Sequence, residues 1–237
     1  MVAAYERKNE AIKALLQGGA NPNDEAGFSW IPLLLASGAG TWRIPTLKAL
    51  VEGGANVNPV HIHGKTPMHN IAEWGSAEEM VYLIEQGCNV DDTQWNEWTP
   101  LHYAIHYTKR ECVKLLLDAG ACETPVNDKF RPIHFATKCT NWQIMQMLLE
   151  QDPELDPQTE RQGRTSLHIA YEARNVTVVK LLLKAGAQLP VEGASSAGFL
   201  PFISFASSTP RSLSHYAYFL EDFGIRSHVG EYWGTEE

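Results

Sequence analysis

The 237-residue chain contains no run of roughly eighteen apolar residues, so it offers no segment long enough to cross a bilayer as a helix. Its opening, Met1-Val2-Ala3-Ala4-Tyr5-Glu6-Arg7-Lys8, lacks the apolar stretch of a signal peptide. Three catalytic signatures are missing: the phosphate-cradling G-x-x-x-x-G-K-S/T loop, the zinc-binding H-E-x-x-H helix and the G-x-S-x-G nucleophile turn. Their absence sets the expectation of a chain that is not an enzyme and has no catalytic residues, cofactor or metal. Cysteine is sparse, and Cys88, Cys112, Cys122 and Cys139 show no paired metal-ligand spacing. Reduced, packed thiols in cytosol or nucleus are therefore expected. Clustered positive charge is lacking as well. There are 19 Lys and Arg against 28 Asp and Glu, a net charge of −9. Split at residue 118, the first part holds 9 basic and 14 acidic residues and the second 10 and 14. Acidity spread this evenly argues against nucleic acid, which needs clustered Lys and Arg. It favours a neutral or basic protein segment as partner.

What the chain does have is a tetrapeptide that returns: Thr66-Pro67-Met68-His69, Thr99-Pro100-Leu101-His102, Arg131-Pro132-Ile133-His134 and Thr165-Ser166-Leu167-His168. The intervals between the proline slots are 33, 32 and 34 residues. About twenty residues after the slot comes a leucine-rich helix end with a glycine: Leu83 to Gly87, Leu115 to Gly120 and Leu181 to Gly186. A glycine there reads as a helix stop, because it tolerates the left-handed conformation of a C-cap. Two degenerate copies follow the same plan, Ile31-Pro32-Leu33-Leu34 with Gly53-Gly54, and Leu200-Pro201-Phe202-Ile203 with Gly224. The first of these carries two extra residues between its helices. Ala11 to Ala20 matches a second helix with its glycine, which leaves Met1 to Glu10 for a first helix.

A period near 33 residues built on this tetrapeptide resembles the ankyrin repeat. The resemblance implies an all-α solenoid of about seven helix-turn-helix repeats with β-turn fingertips and atypical terminal caps. The expected units are residues 1–23, 24–58, 59–91, 92–124, 125–157, 158–190 and 191–225 of one domain, with a tail at 226–237. Proline at the first helical turn costs nothing, since its missing N–H has no intrahelical partner there. The preceding threonine can cap the helix. The resemblance implies that His69, His102, His134 and His168 hydrogen-bond across the turn and hold neighbouring repeats in register. About one period separates these histidines, so each belongs to its own repeat and not to a metal array. Asp152-Pro153 replaces the Gly-Ala of the fifth unit, and Glu97 and Lys129 replace the usual turn glycine. Distorted turns are expected at those places.

The contact positions of such repeats are the fingertips, five, four and two residues before the proline slot, and the end of the first helix, six and seven after it. The candidate stripe there is Phe28, Trp30, His63, Glu73, Trp74, Trp95, Glu97, Trp98, His106, Tyr107 and Phe130. Trp and Tyr dominate interface energetics, each hot spot contributing about 2 kcal/mol or more. Seven aromatics on one face exceed what a surface leaves exposed without a partner. A tryptophan two before the proline, such as Trp98, can instead pack on the neighbouring turn. Trp42 and Trp142, near the starts of second helices, are expected to pack. Trp95, Glu97, Trp98 and Phe130 loosely resemble the methyl-lysine cages of some histone methyltransferase ankyrin domains, which work by cation–π attraction. His61 and His63, with His106 nearby, read as exposed turn residues in preference to metal ligands.

At the other end, Pro210-Arg211-Ser212-Leu213-Ser214-His215 faintly resembles the opening of a SOCS box, the ubiquitin-ligase adaptor segment, but its downstream cysteine-arginine element is missing. A capping helix is the preferred reading. The function expected is a non-enzymatic, monomeric, cytoplasmic or nuclear interaction module that grips a protein or peptide on a concave aromatic face of repeats two to five. The alternatives are a substrate-recognition adaptor of a ubiquitin ligase and a reader of basic or methyl-lysine peptides.

Overall fold

The computed structural model describes residues 2–6, 8–38, 43–121, 131–138, 141–151, 165–173 and 175–187. The chain falls into two compact units, Met1–Gln151 and Asp152–Glu237, and the described residues are helical throughout apart from turns and one isolated bridge. In the first unit the helices come in pairs: α1 Val2–Tyr5 with α2 Asn9–Gln17, α3 Pro32–Ser37 with α4 Arg43–Glu52, α5 Pro67–Trp74 with α6 Ala77–Glu85, α7 Pro100–His106 with α8 Arg110–Asp118, and α9 Pro132–Lys138 with α10 Trp142–Gln151. First helices stack on first helices from α1 to α9, and second helices on second helices from α2 to α10. Each pair therefore touches its neighbours in sequence, the one-dimensional packing of a solenoid. In the second unit α11 Ser166–Glu172 packs against α12 Val176–Lys184. The seventh unit, the tail, the loop through Trp42, and Cys122 and Cys139 lie outside the described residues. No described helix is long and apolar enough to cross a membrane.

Sequence explains why helices form here. Proline stands at the first helical position of α3, α5, α7 and α9, where no intrahelical bond is lost. Apolar side chains recur at helical spacing and go inward: Met68, Ile71 and Ala72 on α5, Leu101, Ala104 and Ile105 on α7, Val113, Leu116 and Leu117 on α8. A fully buried Leu or Ile of this kind contributes about 1.5–3 kcal/mol. The second helices end in a tight turn whose glycine is left-handed, with φ of 80° at Gly87 and 83° at Gly120. A side chain there would be strained.

Two sets of polar side chains fix the register between repeats. His69 is buried on α5; Thr66 N–H donates to its Nδ1 at 3.2 Å, which leaves Nε2 to donate to the Trp98 carbonyl of the next repeat at 3.0 Å. Thr99 N–H and Arg131 N–H make the same bond to Nδ1 of His102 and His134, at 3.1 and 3.2 Å. The side chain of His168 lies outside the described residues. The second set is formed by asparagines. Asn23 donates its amide to the Gly54 carbonyl at 3.0 Å and accepts the Asn56 N–H at 2.7 Å. One repeat later Asn58 donates to the Gly87 carbonyl at 3.2 Å and accepts the Asn89 N–H at 2.8 Å. Each clamp satisfies the carbonyl of the left-handed glycine in the turn after a second helix.

The fingertip turns correct one expectation. Ser29, Gly64 and Glu97, each three residues before a proline, all sit in the left-handed region, with φ of 57°, 80° and 66°. The turn at Glu97 is therefore not distorted relative to the glycine turn. Hydrogen bonds from Gln94 N–H to the Trp98 carbonyl (3.1 Å) and from Glu97 N–H to the Gln94 carbonyl (2.9 Å) hold it closed, as His61 N–H to the Lys65 carbonyl (2.9 Å) and Gly64 N–H to the His61 carbonyl (2.8 Å) hold the turn before. These bonds impose on Glu97 a conformation that costs a side-chain-bearing residue about 1–2 kcal/mol. Lys129 lies outside the described residues.

Candidate functional site

Fingertips and first-helix ends are brought together because the first helices stack in order, so each loop lies beside the same loop of the next repeat. The fingertip row is aromatic. The Trp30 ring lies 4.6 Å from that of His61, His61 lies 5.0 Å from His63, and His63 meets Trp95 edge to face at 4.7 Å. Three consecutive repeats contribute to it. A backbone bond from Trp95 N–H to the His63 carbonyl (3.3 Å) ties two of the fingertips. Trp95 is 73% exposed, and Trp30 and Ile62 are also exposed.

A second row occupies the first-helix ends. Trp74 and Tyr107, both seven residues after their prolines, are exposed with ring centroids 5.8 Å apart. Tyr107 packs on His106 at 5.0 Å and stacks on Tyr103, one helical turn earlier, at 6.4 Å and 13°.

Between the rows lies a half-buried charge pair. Glu73 Oε2 takes the Lys65 ammonium as ion-pair partner, and its Oε1 accepts from the Tyr107 hydroxyl at 3.0 Å. The Lys65 ammonium stands 5.5 Å above the centre of the Tyr103 ring, whose hydroxyl donates to Gln94 Oε1 at 3.2 Å. Lys109 of the next repeat donates to the Gly75 carbonyl at 2.6 Å. Burial, together with the nearby Glu73 charge, raises the Tyr103 pKa; the hydrogen bond to Glu73 leads the rise at Tyr107. His61 is shifted the other way by burial and by its His63 and Lys65 neighbours. Near neutral pH this face therefore presents intact phenols and a neutral His61, with the Glu73 charge already answered.

The expected site residues are distributed unevenly. Trp30, His63 and Trp95 join the fingertip row, and Glu73, Trp74, His106 and Tyr107 the helix-end row. Glu97 is half-buried in its left-handed turn. Trp98 behaves differently from Trp95. It is half-buried, with its ring 5.2 Å from Tyr103, 5.4 Å from His106 and 4.9 Å from Phe135 of the following repeat. The two indoles are thus committed to different neighbours, His63 for one and the inter-repeat seam for the other. Phe130 and the side chain of Phe28 lie outside the described residues. Trp142, expected to pack, is 43% exposed at the start of α10, a second correction.

Sequence reasoning left His61 and Tyr103 out of the stripe. The signal for Tyr103 was present, since it lies four residues before Tyr107 on one helix face. Among the described residues no three His, Cys, Asp or Glu side chains come together as metal ligands. What this arrangement can do is bind: exposed indole and phenol faces give large contact area at small entropic cost.

A family model of ankyrin repeats matches the chain in three copies, over residues 1–93, 43–128 and 122–192. No curated protein matches it.

Proposed function

Because the chain belongs to the ankyrin-repeat family, whose repeats mediate protein–protein interaction, we propose that it is a non-enzymatic, monomeric binding module that takes its protein or peptide partner on the aromatic face of repeats two to four. The observation that carries this reading is the alignment of exposed Trp30, Trp74, Trp95 and Tyr107 on adjacent repeats. Large apolar side chains left open to water on one face stabilise a complex once a partner covers them. The ion pair beneath them is internally neutralised, so the floor of the face does not exclude an uncharged partner.

Affinity capture from lysate with the wild type and a Trp74→Ala/Tyr107→Ala variant tests this. Both residues are exposed, so the variant should melt within about 1 kcal/mol of wild type. A protein retained by the wild type and lost from the variant is the expected outcome. Identical captured sets from the two would overturn the reading.

A further inference from the structure

The fingertip loops differ in charge from repeat to repeat. Each described loop can be taken over the same ten positions before its proline. Asn21 to Trp30 carries Asp24 and Glu25 and no Lys or Arg; Asn89 to Trp98 carries Asp91, Asp92 and Glu97 and no Lys or Arg. The loop between them, Asn56 to Lys65, carries Lys65, His61 and His63 and no carboxylate. Asp24, Glu25 and Asp91 are exposed. Each acidic loop also holds one exposed tryptophan, Trp30 in the first and Trp95 in the second, whereas the middle loop exposes Ile62 and His63. The row thus reads acidic-aromatic, neutral-to-basic, acidic-aromatic.

Resting on the binding face proposed above, we infer that the partner presents an extended segment with two arginines, one on Trp30 with Asp24 and Glu25, the other on Trp95 with Asp91. Arginine fits because its planar, weakly hydrated guanidinium stacks on an indole while its edge pairs with a carboxylate. The acidic loops lie two repeats apart. The Trp30 and Trp95 rings, joined through His61 and His63 by contacts of 4.6, 5.0 and 4.7 Å, stand no more than about 14 Å apart. An extended chain rises about 3.3 Å per residue, so the arginines stand about four residues apart. The residues between them face His61, Ile62 and His63, with Lys65 nearby, and are uncharged or apolar. The middle loop offers a cation no carboxylate, since Glu73 beneath it is already paired with Lys65, and this sets the register.

Three blocked, fluorescein-labelled peptides of one composition, with two arginines in Gly-Ser sequence adjacent, four apart or twelve apart, test this by anisotropy titration against the full chain. The peptide with arginines four apart should bind about fivefold more tightly than the others, and its lysine counterpart about fivefold more weakly than itself, as expected for loss of guanidinium stacking. Glu25→Gln and Asp91→Asn, each checked for an unchanged melt, should each weaken binding and together remove the spacing preference. Trp142→Ala, on the second helix of another repeat, should change nothing. Equal affinity at all spacings, equal affinity of arginine and lysine peptides, or no binding of any peptide would overturn the inference. The capture experiment separates the two claims. A partner still lost with Trp74→Ala/Tyr107→Ala while the peptides fail would refute the paired arginines and leave the binding face standing.

Discussion

The seam between repeats and the fingertip row are built on the same 33-residue period, yet they use it in opposite ways. Along the seam the same residue recurs: histidine at 69, 102 and 134 takes the same bond from the residue three before it, and Asn23 and Asn58 close the same two-bond clamp. Along the fingertips the residue at one position changes from repeat to repeat, Trp30, Lys65 and Trp98 two before the proline and Gly27, Ile62 and Trp95 five before it, and so does the charge of the loop. A position whose geometry is identical in every repeat admits one chemical solution. A position that meets solvent in every repeat is free to vary, and specificity can be written there.

The largest expected break in this contrast comes from acid. Burial holds the His69 pKa down to about 4, from an ordinary 6.5, with the backbone bond to Trp98 only partly opposing it. The unfolded chain then takes up the proton first, so the seam's stability is fully present above pH 6.5 and is lost as pH falls toward 4. Up to roughly 3 kcal/mol is at stake. Urea titrations at pH 7 and pH 4.5 should show that loss, and His69→Gln should flatten it. A pH-independent midpoint in the wild type would remove His69 from the seam.

Two tryptophans three residues apart sharpen the contrast next. Trp98→Ala should cost about 2 kcal/mol, because its ring fills space against Phe135 and Tyr103. Trp95→Ala should stay within about 0.5 kcal/mol while weakening partner capture. Equal melts for both variants would mean that the seam does not include Trp98.

Asn58→Ala should cost about 1 kcal/mol by leaving the Gly87 carbonyl and the Asn89 N–H without the clamp. Partner capture should be unchanged, and a change would place the clamp on the binding side. The smallest effects come from the turns and have opposite signs. Glu97→Gly should gain up to about 1 kcal/mol by relieving a left-handed glutamate. Gly64→Ala should lose at least as much, since a Cβ there would lie 2.9 Å from Gln94 Cα and 3.1 Å from the Thr93 carbonyl oxygen. Thermal melts of the pair that moved in the same direction would contradict this account of the fingertip turn.

Much of the fold was legible because it is written in short-range terms. Proline at the first helical turn, glycine at the helix stop and apolar spacing on α5, α7 and α8 act within a few residues of themselves, and a period repeats them. The asparagine clamp was not legible: the pattern recurs in Asn21-Pro22-Asn23, Asn56-Val57-Asn58 and Asn89-Val90-Asp91, but each bond reaches a partner about thirty residues away. Nothing local marks it as a bond. The separate fates of Trp95 and Trp98 were not legible at all, because they depend on whether the next repeat presents Phe135 or solvent. Trp142 failed the same way, read as packing and found exposed.

The sequence by itself determined the repeat, the helix boundaries and the acidic, acceptor-rich character of the chain, since propensity, capping and charge are properties of neighbouring residues. Only the tertiary structure decided which aromatics became seam and which became surface, that Lys65 and Tyr107 converge on Glu73, and that Glu97 sits left-handed without opening its turn. Those outcomes depend on what the adjacent repeat places opposite each side chain. That juxtaposition exists only after the repeats have stacked.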